Sequence, residues 1–273
     1  MGKDTFFRIE RVILVDENQI AIVTGAATGI GFGIAKRLSR EGFSVMMIGR
    51  SDSIFSAARE IERSVPYKCD IRDAAEVETT VRDIYEKFGR IDALINNAGV
   101  SRLSLLTDTD DETLDLQIDT NLKGTFHMLR SVTPIMQKAG YGRIVNMSSV
   151  TGVIECDKGY SAYGMTKAGV IGLTRAASSE LAEYGITCNA ICPGFIRTPN
   201  VERSARKTCP DDPESVLRGI SDGVPMKRLG TPDEIGALAA FLVSPDAGYI
   251  TGTGIVIDGG NRIPETSVMG STL

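Results

Sequence analysis

The feature that most constrains this chain is an apolar run, Ile20-Ala21-Ile22-Val23-Thr24, that ends in Gly25-Ala26-Ala27-Thr28-Gly29-Ile30-Gly31 and passes into an amphipathic stretch reaching about Glu41. A short continuous apolar run suits a strand buried on both faces. The glycines let the backbone turn tightly, and a helix opening at that turn presents its unpaired N–H groups there. Strand, tight turn and helix in that order open a βαβ unit, which requires a parallel strand alongside and a helix on the sheet face.

The alternation recurs along the chain. Strands are expected at 44–48, 67–69, 93–95, 143–147, 186–191 and 255–257, and helices at 54–63, 74–88, 111–120, 121–138, 161–183 and 232–243. This spacing predicts an α/β fold: a single doubly wound, Rossmann-like domain over 19–273, with a mostly parallel sheet of about seven strands and helices on both faces. Residues 1–18 read as an N-terminal extension with a strand-like stretch at 6–15. No linker or repeat interrupts the pattern.

Charge and cysteine usage exclude several function classes. Lys plus Arg is 30 against 35 Asp plus Glu, a net charge of −5, which argues against nucleic acid or an anionic membrane surface as partner. No apolar run approaches the roughly 20 residues of a bilayer span. The N-terminus breaks its apolar residues with charges, unlike a signal peptide. Five cysteines without a Cys-x-x-Cys pair read as reduced thiols of a cytoplasmic protein. One histidine, His127, cannot build a His-based metal site, so no metal is expected; it reads as a helix or interface residue. Met46 and Met47 read as core.

In sheets of this kind ligands bind beyond the carboxyl ends of the strands, and the motifs fall there. The glycine turn suits a pyrophosphate. Strand two ends at Gly49-Arg50-Ser51, with Gly49 where an NAD site usually holds an acid. The Arg50 guanidinium suits a 2′-phosphate, which favours NADP(H); Asp52 serving a ribose hydroxyl, and so NAD, is the alternative. Asp70 and Ile71 close strand three, where a carboxylate can accept from an adenine amino group. Asn97-Ala98-Gly99 follow strand four and let a cofactor lie close. Asn121 begins a helix and can equally be an N-cap. Pro193, Gly194, Ile196 and Thr198 follow strand six, where a Pro-Gly turn and a threonine can meet a carboxamide. Tyr163 and Lys167 are one helical turn apart, and a fixed ammonium favours the phenolate of a group with an ordinary pKa of about 10. Taken alone, Tyr-x-x-x-Lys is also a common surface pair. Ser149, leaving a strand, can share one substrate oxygen with Tyr163.

Jointly, residues 24–31, Asp70, 96–99, Asn121, Ser149, Tyr163, Lys167 and Pro193-Gly194 resemble the short-chain dehydrogenase/reductase family, and finer features such as 148–152, 189–194 and 257–260 look like the UcpA-type bacterial oxidoreductases. The resemblance implies hydride transfer between a nicotinamide and a secondary alcohol or ketone. Tyr163 is then the general acid/base, Lys167 lowers its pKa and holds the nicotinamide ribose, Ser149 orients the substrate oxygen, and Asn121 holds a relay water. The cofactor set implied is Gly25, Thr28, Gly29, Ile30, Gly31, Arg50, Ser51, Asp70, Ile71, Asn97, Ala98, Gly99, Tyr163, Lys167, Pro193, Gly194, Ile196 and Thr198. The segment 198–225, rich in charge, is implied as a mobile cover for a small-molecule substrate, and a homotetramer or homodimer as the assembly. Fourteen residues separate Ser149 from Tyr163 where thirteen is commoner, and Thr28 stands where many NADP-preferring members carry a basic residue. A non-catalytic nucleotide sensor, and an epimerase or dehydratase of the extended relatives, are the competing classes. The full proton-transfer set speaks against the first, and the short C-terminal region against the second.

Overall fold

The computed structural model describes residues 19–263; the extension at 1–18, with the strand expected at 6–15, lies outside them. The strands are β1 (Ile20–Thr24), β2 (Ser44–Gly49), β3 (Ser64–Lys68), β4 (Ala93–Asn96), β5 (Gly142–Met147), β6 (Ile186–Pro193) and β7 (Gly254–Ile257). They form one sheet in the order β3-β2-β1-β4-β5-β6-β7, every neighbouring pair parallel. The helices are α1 (Gly29–Arg40), α2 (Ser53–Ala58), α3 (Ala74–Phe88), α4 (Asp111–Ile118), α5 (Gly124–Ala139), α6 (Ser161–Leu181), α7 (Pro199–Thr208), α8 (Pro213–Gly223) and α9 (Pro232–Val243). The strand order reverses between β1 and β4, which leaves a crevice at their carboxyl ends.

Successive residues of each strand serve opposite layers. Ala21, Val23, Val45, Met47 and Ile95 pack with Ile34 and Leu38 of α1, Ile54 of α2, and Ile235 and Leu242 of α9. Ile20, Ile22, Met46, Ile48 and Leu94 pack on the other face with Val77 and Ile84 of α3, Met128 and Val132 of α5, and Leu181 of α6. Burying each such large side chain contributes about 1.5–3 kcal/mol relative to leaving it in water. Met46 and Met47 thus both enter core, one on each side.

Three elements differ from expectation. The second helix ends at Ala58, not 63, because Ser64 Oγ donates to the Ala58 and Ile61 carbonyls (2.8 and 2.9 Å) and β3 begins there, paired to Val45. The helical stretch 111–138 is interrupted by a π-helical turn, Asp119–Lys123, in which Gly124 N–H reaches back to the Asp119 carbonyl. The charged run after 198, for which no helix was expected, holds two: α7 and α8 each start with proline at the first helical position behind Thr198 and Asp212, whose side chains accept from Val201 and Ser215 N–H. Proline costs nothing there, since that N–H has no helical partner.

Candidate active site

The glycine turn forms one wall. Gly25 and Gly29 have φ of +64° and +60°, a region that side chains strain. A Cβ on Gly25 would sit 2.8 Å from Ala98 Cα, and one on Gly31 would strike the Gly25 carbonyl and the Asn97 amide. Thr24 Oγ1 accepts from the N–H groups of Asn97 and Ala98 (3.0 Å each), and Asn97 Nδ2 donates to the Thr24 and Gly25 carbonyls (3.0 and 3.3 Å). Asn97 and Gly31 therefore hold the turn in shape. Thr24, the first residue of the glycine motif, is the pin between β1 and the loop after β4.

The helix behind this turn starts without a side-chain cap, as do α2, α5 and α6, while five others are capped. Asp73, Asp110, Thr198, Asp212 and Thr231 cap α3, α4, α7, α8 and α9 with side-chain oxygens. Thr28 makes no such bond to α1, and the first turn of α1 carries no acid. Its N–H groups open onto a cleft of about 540 Å³ that also touches Arg50, Ser51, Gly99, Ser149, Tyr163, Lys167, Pro193, Gly194 and Thr198. An uncapped helix N-terminus with a close backbone approach fits a dinucleotide pyrophosphate.

Beyond Arg50 the trough continues into a cavity of about 180 Å³ lined by Cys69, Asp70, Ile71 and Thr120. Asp70 is held in a bidentate pair by Arg72 (2.6 Å at the shortest), which keeps its carboxyl below the ordinary carboxylate range. Arg50 is exposed and makes no hydrogen bond or ion pair among the described residues. Asp52, the alternative ribose acceptor, is bound to Lys68 at 2.8 Å.

The floor is a tight network. β5 delivers Ser148 and Ser149 at its end, and the first turns of α6 deliver Tyr163 and Lys167. Ser148 Oγ donates to the Lys167 carbonyl (2.8 Å), and Lys167 Nζ donates to the Met147 carbonyl (2.7 Å). Ser149 Oγ accepts from Thr151 N–H (3.1 Å). Asn121, in the π-helical turn, accepts from Val100 N–H (2.8 Å) and donates to the Val100 carbonyl and Thr166 Oγ1 (2.9 Å each); Thr166 in turn donates to the Tyr163 carbonyl (2.7 Å). Asn121 is therefore a clamp between the loop after β4 and α6, and not an N-cap.

Desolvation dominates the balance at the Tyr163 phenol. Burial raises the phenol above its usual value; the Ser149 hydroxyl opposes that and Tyr160 adds to it. The ammonium lies 5.6 Å from the ring centroid and spends a hydrogen bond on Met147. Burial lowers Lys167 itself to about 8, against a small opposing effect of Cys192. The Ile196 side chain is buried, bridges to Gly230 and packs in the core beside a separate small cavity, which leaves only its backbone for the cleft. His127 bonds through Nδ1 to the Ile71 carbonyl (3.0 Å) and is a helix-to-loop tie. Asn200 and Arg203, from the segment expected to cover substrate, line the cleft, and so does Arg102, which was not among the expected site residues.

A family model described as enoyl-(acyl carrier protein) reductase matches residues 25–262. The chain belongs to the short-chain dehydrogenase/reductase family. It is 46% identical over 254 residues to oxidoreductase UcpA of Salmonella typhimurium, covering 92% of this chain and 97% of that one. It is 37% identical to the 3-oxoacyl-[acyl-carrier-protein] reductase FabG of Thermotoga maritima, over 89% and 98% of the two chains. The crystal structure of a variant of actinorhodin polyketide ketoreductase with NADPH superposes with a TM-score of 0.86 at 32% identity, over 92% of this chain and all of that one. Membership makes this protein an oxidoreductase of CH–OH and ketone groups that uses NAD(P). Among the described residues no helix is long and apolar enough to cross a membrane.

Proposed function

We propose that this enzyme interconverts a ketone and a secondary alcohol with NADP(H), Tyr163 being the proton donor and acceptor. The observation that supports it most is the meeting of Ser149, Tyr163 and Lys167 on the floor of a cleft whose wall is the uncapped start of α1. When bound, the nicotinamide supplies the hydride to the carbonyl carbon. Tyr163 gives its phenolic proton to the carbonyl oxygen, which becomes the hydroxyl. Ser149 donates a hydrogen bond to that oxygen and steadies its charge. Lys167 holds the nicotinamide ribose, and Asn121 holds a water that returns a proton toward Lys167. Burial raises the Tyr163 phenol above its ordinary value.

Arg50, unpaired among the described residues at the end of β2, supports NADP(H) over NAD(H), since Asp52 is occupied by Lys68. Exposed Phe126 on α5 and Met165 on α6 support a homotetramer built on those helices, which light scattering tests. Free cysteines throughout support a cytoplasmic setting.

The test is turnover of NADPH with a panel of ketones, followed by nicotinamide absorbance. Tyr163→Phe is expected to lose about 10²–10⁴-fold in rate; equal rates in the two proteins would remove Tyr163 from the mechanism. Arg50→Ala is expected to weaken NADPH about tenfold or more, the scale of a charge-assisted hydrogen bond, and to leave NADH unchanged. Tighter binding of NADH by the wild type would overturn the cofactor preference.

A further inference from the structure

Charge is shared unevenly around the cleft. Among the described residues Arg50, Arg102, Lys167 and Arg203 line it and no aspartate or glutamate does, although the whole chain carries −5. Arg50 and Lys167 have roles above, and Arg102 turns Nη1 onto its neighbour's carbonyl at Ser101 (3.2 Å). Arg203 is exposed and has no hydrogen bond or ion pair among the described residues. The adjacent acid, Glu202, is taken by Arg197 (3.0 Å) and Arg206 (3.7 Å).

Arg203 stands on a segment built as a separate unit. Val201 and Ala205 of α7 pack with Leu217 and Ile220 of α8 and with Leu229 in a small core of their own. Arg197 holds both helices, bonding Glu202 and Glu214 (2.7 Å). The unit joins the domain through Arg197 N–H to the Gly230 carbonyl (2.8 Å), Gly230 N–H to the Phe195 carbonyl (2.9 Å) and, just past α8, Met226 N–H to the Gly259 carbonyl (3.3 Å). The opposite face of α7, with Pro199, Asn200 and Arg203 three and four residues apart, lines the cleft. Its cap, Thr198, rests on the glycine turn: a Cβ on Gly29 would lie 3.5 Å from Thr198 Cβ. Arg203 is five residues on, about 7.5 Å along the helix axis, and lines the same cleft as Gly29 and Ile30 at the start of α1.

We propose that Arg203 is a phosphate clamp, its guanidinium set on the pyrophosphate of a bound dinucleotide. This rests on the dinucleotide reading above but not on the choice between NADP and NAD, because the pyrophosphate is common to both. A planar guanidinium matches two phosphate oxygens at once, which an ammonium does not.

The test titrates NADPH, NADH and 2′-AMP against wild type, Arg203→Ala and Arg203→Lys, using nicotinamide fluorescence and competition, with hydrogen exchange of 199–223 as a second readout. Arg203→Ala is expected to weaken NADPH and NADH by the same factor, about tenfold, to leave 2′-AMP, which lacks a pyrophosphate, unchanged, and to abolish the protection NADPH gives to α7 and α8. Arg203→Lys should restore part of the affinity. Equal cofactor affinities in wild type and Arg203→Ala would overturn the clamp, as would a loss confined to the KM of an acidic ketone, which would assign Arg203 to substrate. A wild type that binds neither cofactor would sink the dinucleotide reading with it.

Discussion

The floor of the cleft and its cover are held by opposite kinds of interaction. On the floor, Lys167, Ser148, Asn121 and Thr166 are buried and bonded to one another or to backbone across β5, α6, the π-helical turn and the loop after β4. Asn96 and Asn146 continue the network beneath, with Asn96 Nδ2 on Asn146 Oδ1 (2.8 Å) and Asn146 Nδ2 on Thr174 Oγ1 (3.0 Å). The cover has a small private core and exposed ion pairs through Arg197 and Arg218. Buried networks are rigid because an unpaired member costs its full desolvation. Exposed pairs are weak and screened by salt. Proton transfer needs the first property, and passage of ligands needs the second.

The contrast can be broken from the floor first. Ser149→Ala is expected to lower kcat by about 10²–10³-fold, the scale of one lost donor to a developing oxyanion; measured turnover within a factor of two of wild type would detach Ser149 from the substrate oxygen.

Next in size is a pH effect. Burial lowers Lys167 from 10.5 to about 8, so between those values the unfolded chain binds a proton that the folded one has released. Stability therefore rises with pH over that window, by at most on the order of 3 kcal/mol. Thermal unfolding of wild type relative to Lys167→Met, without cofactor, should shift in favour of wild type from pH 7 to pH 10. A constant difference would mean that the ammonium is solvated.

Asn121→Ala removes three buried hydrogen bonds and is expected to cost about 1–3 kcal/mol in chemical denaturation. It should also loosen the loop after β4 in hydrogen exchange. Loss of activity with full stability would instead make Asn121 a purely chemical residue.

The smallest effect belongs to the cover. Arg197→Ala removes the exposed tie between α7 and α8, so global unfolding should be unchanged while exchange in 199–223 quickens. A drop in melting temperature as large as that of Asn121→Ala would show that the cover is part of the domain's core and end the contrast.

How much of this was legible in the residues depended on range. The helices at 74–88 and 232–243 were readable to the residue, because caps mark their ends: Asp73 and the left-handed Gly89 for α3, the Thr231–Glu234 capping box for α9. The helices α7 and α8 carried the same kind of mark in Thr198-Pro199 and Asp212-Pro213, but their charge masked the apolar period. Nothing local marks the π-helical turn at 119–123; it accompanies the clamp of Asn121 on Val100, a contact 21 residues away. Thr24 read as a strand end until β4 was placed beside it.

By itself the sequence determined the layered α/β architecture, the glycine turn, and the identity of the serine, phenol and amine at strand and helix ends, because hydrophobic period and turn chemistry act over a few residues. Only the tertiary structure decided the burial of the floor, the engagement of Asp52, the direction of Asn121 and the placing of Arg203 on the cleft face of α7, without an ion-pair partner among the described residues. Those depend on burial and on partners far off in sequence, where desolvation and hydrogen-bond competition are settled by packing.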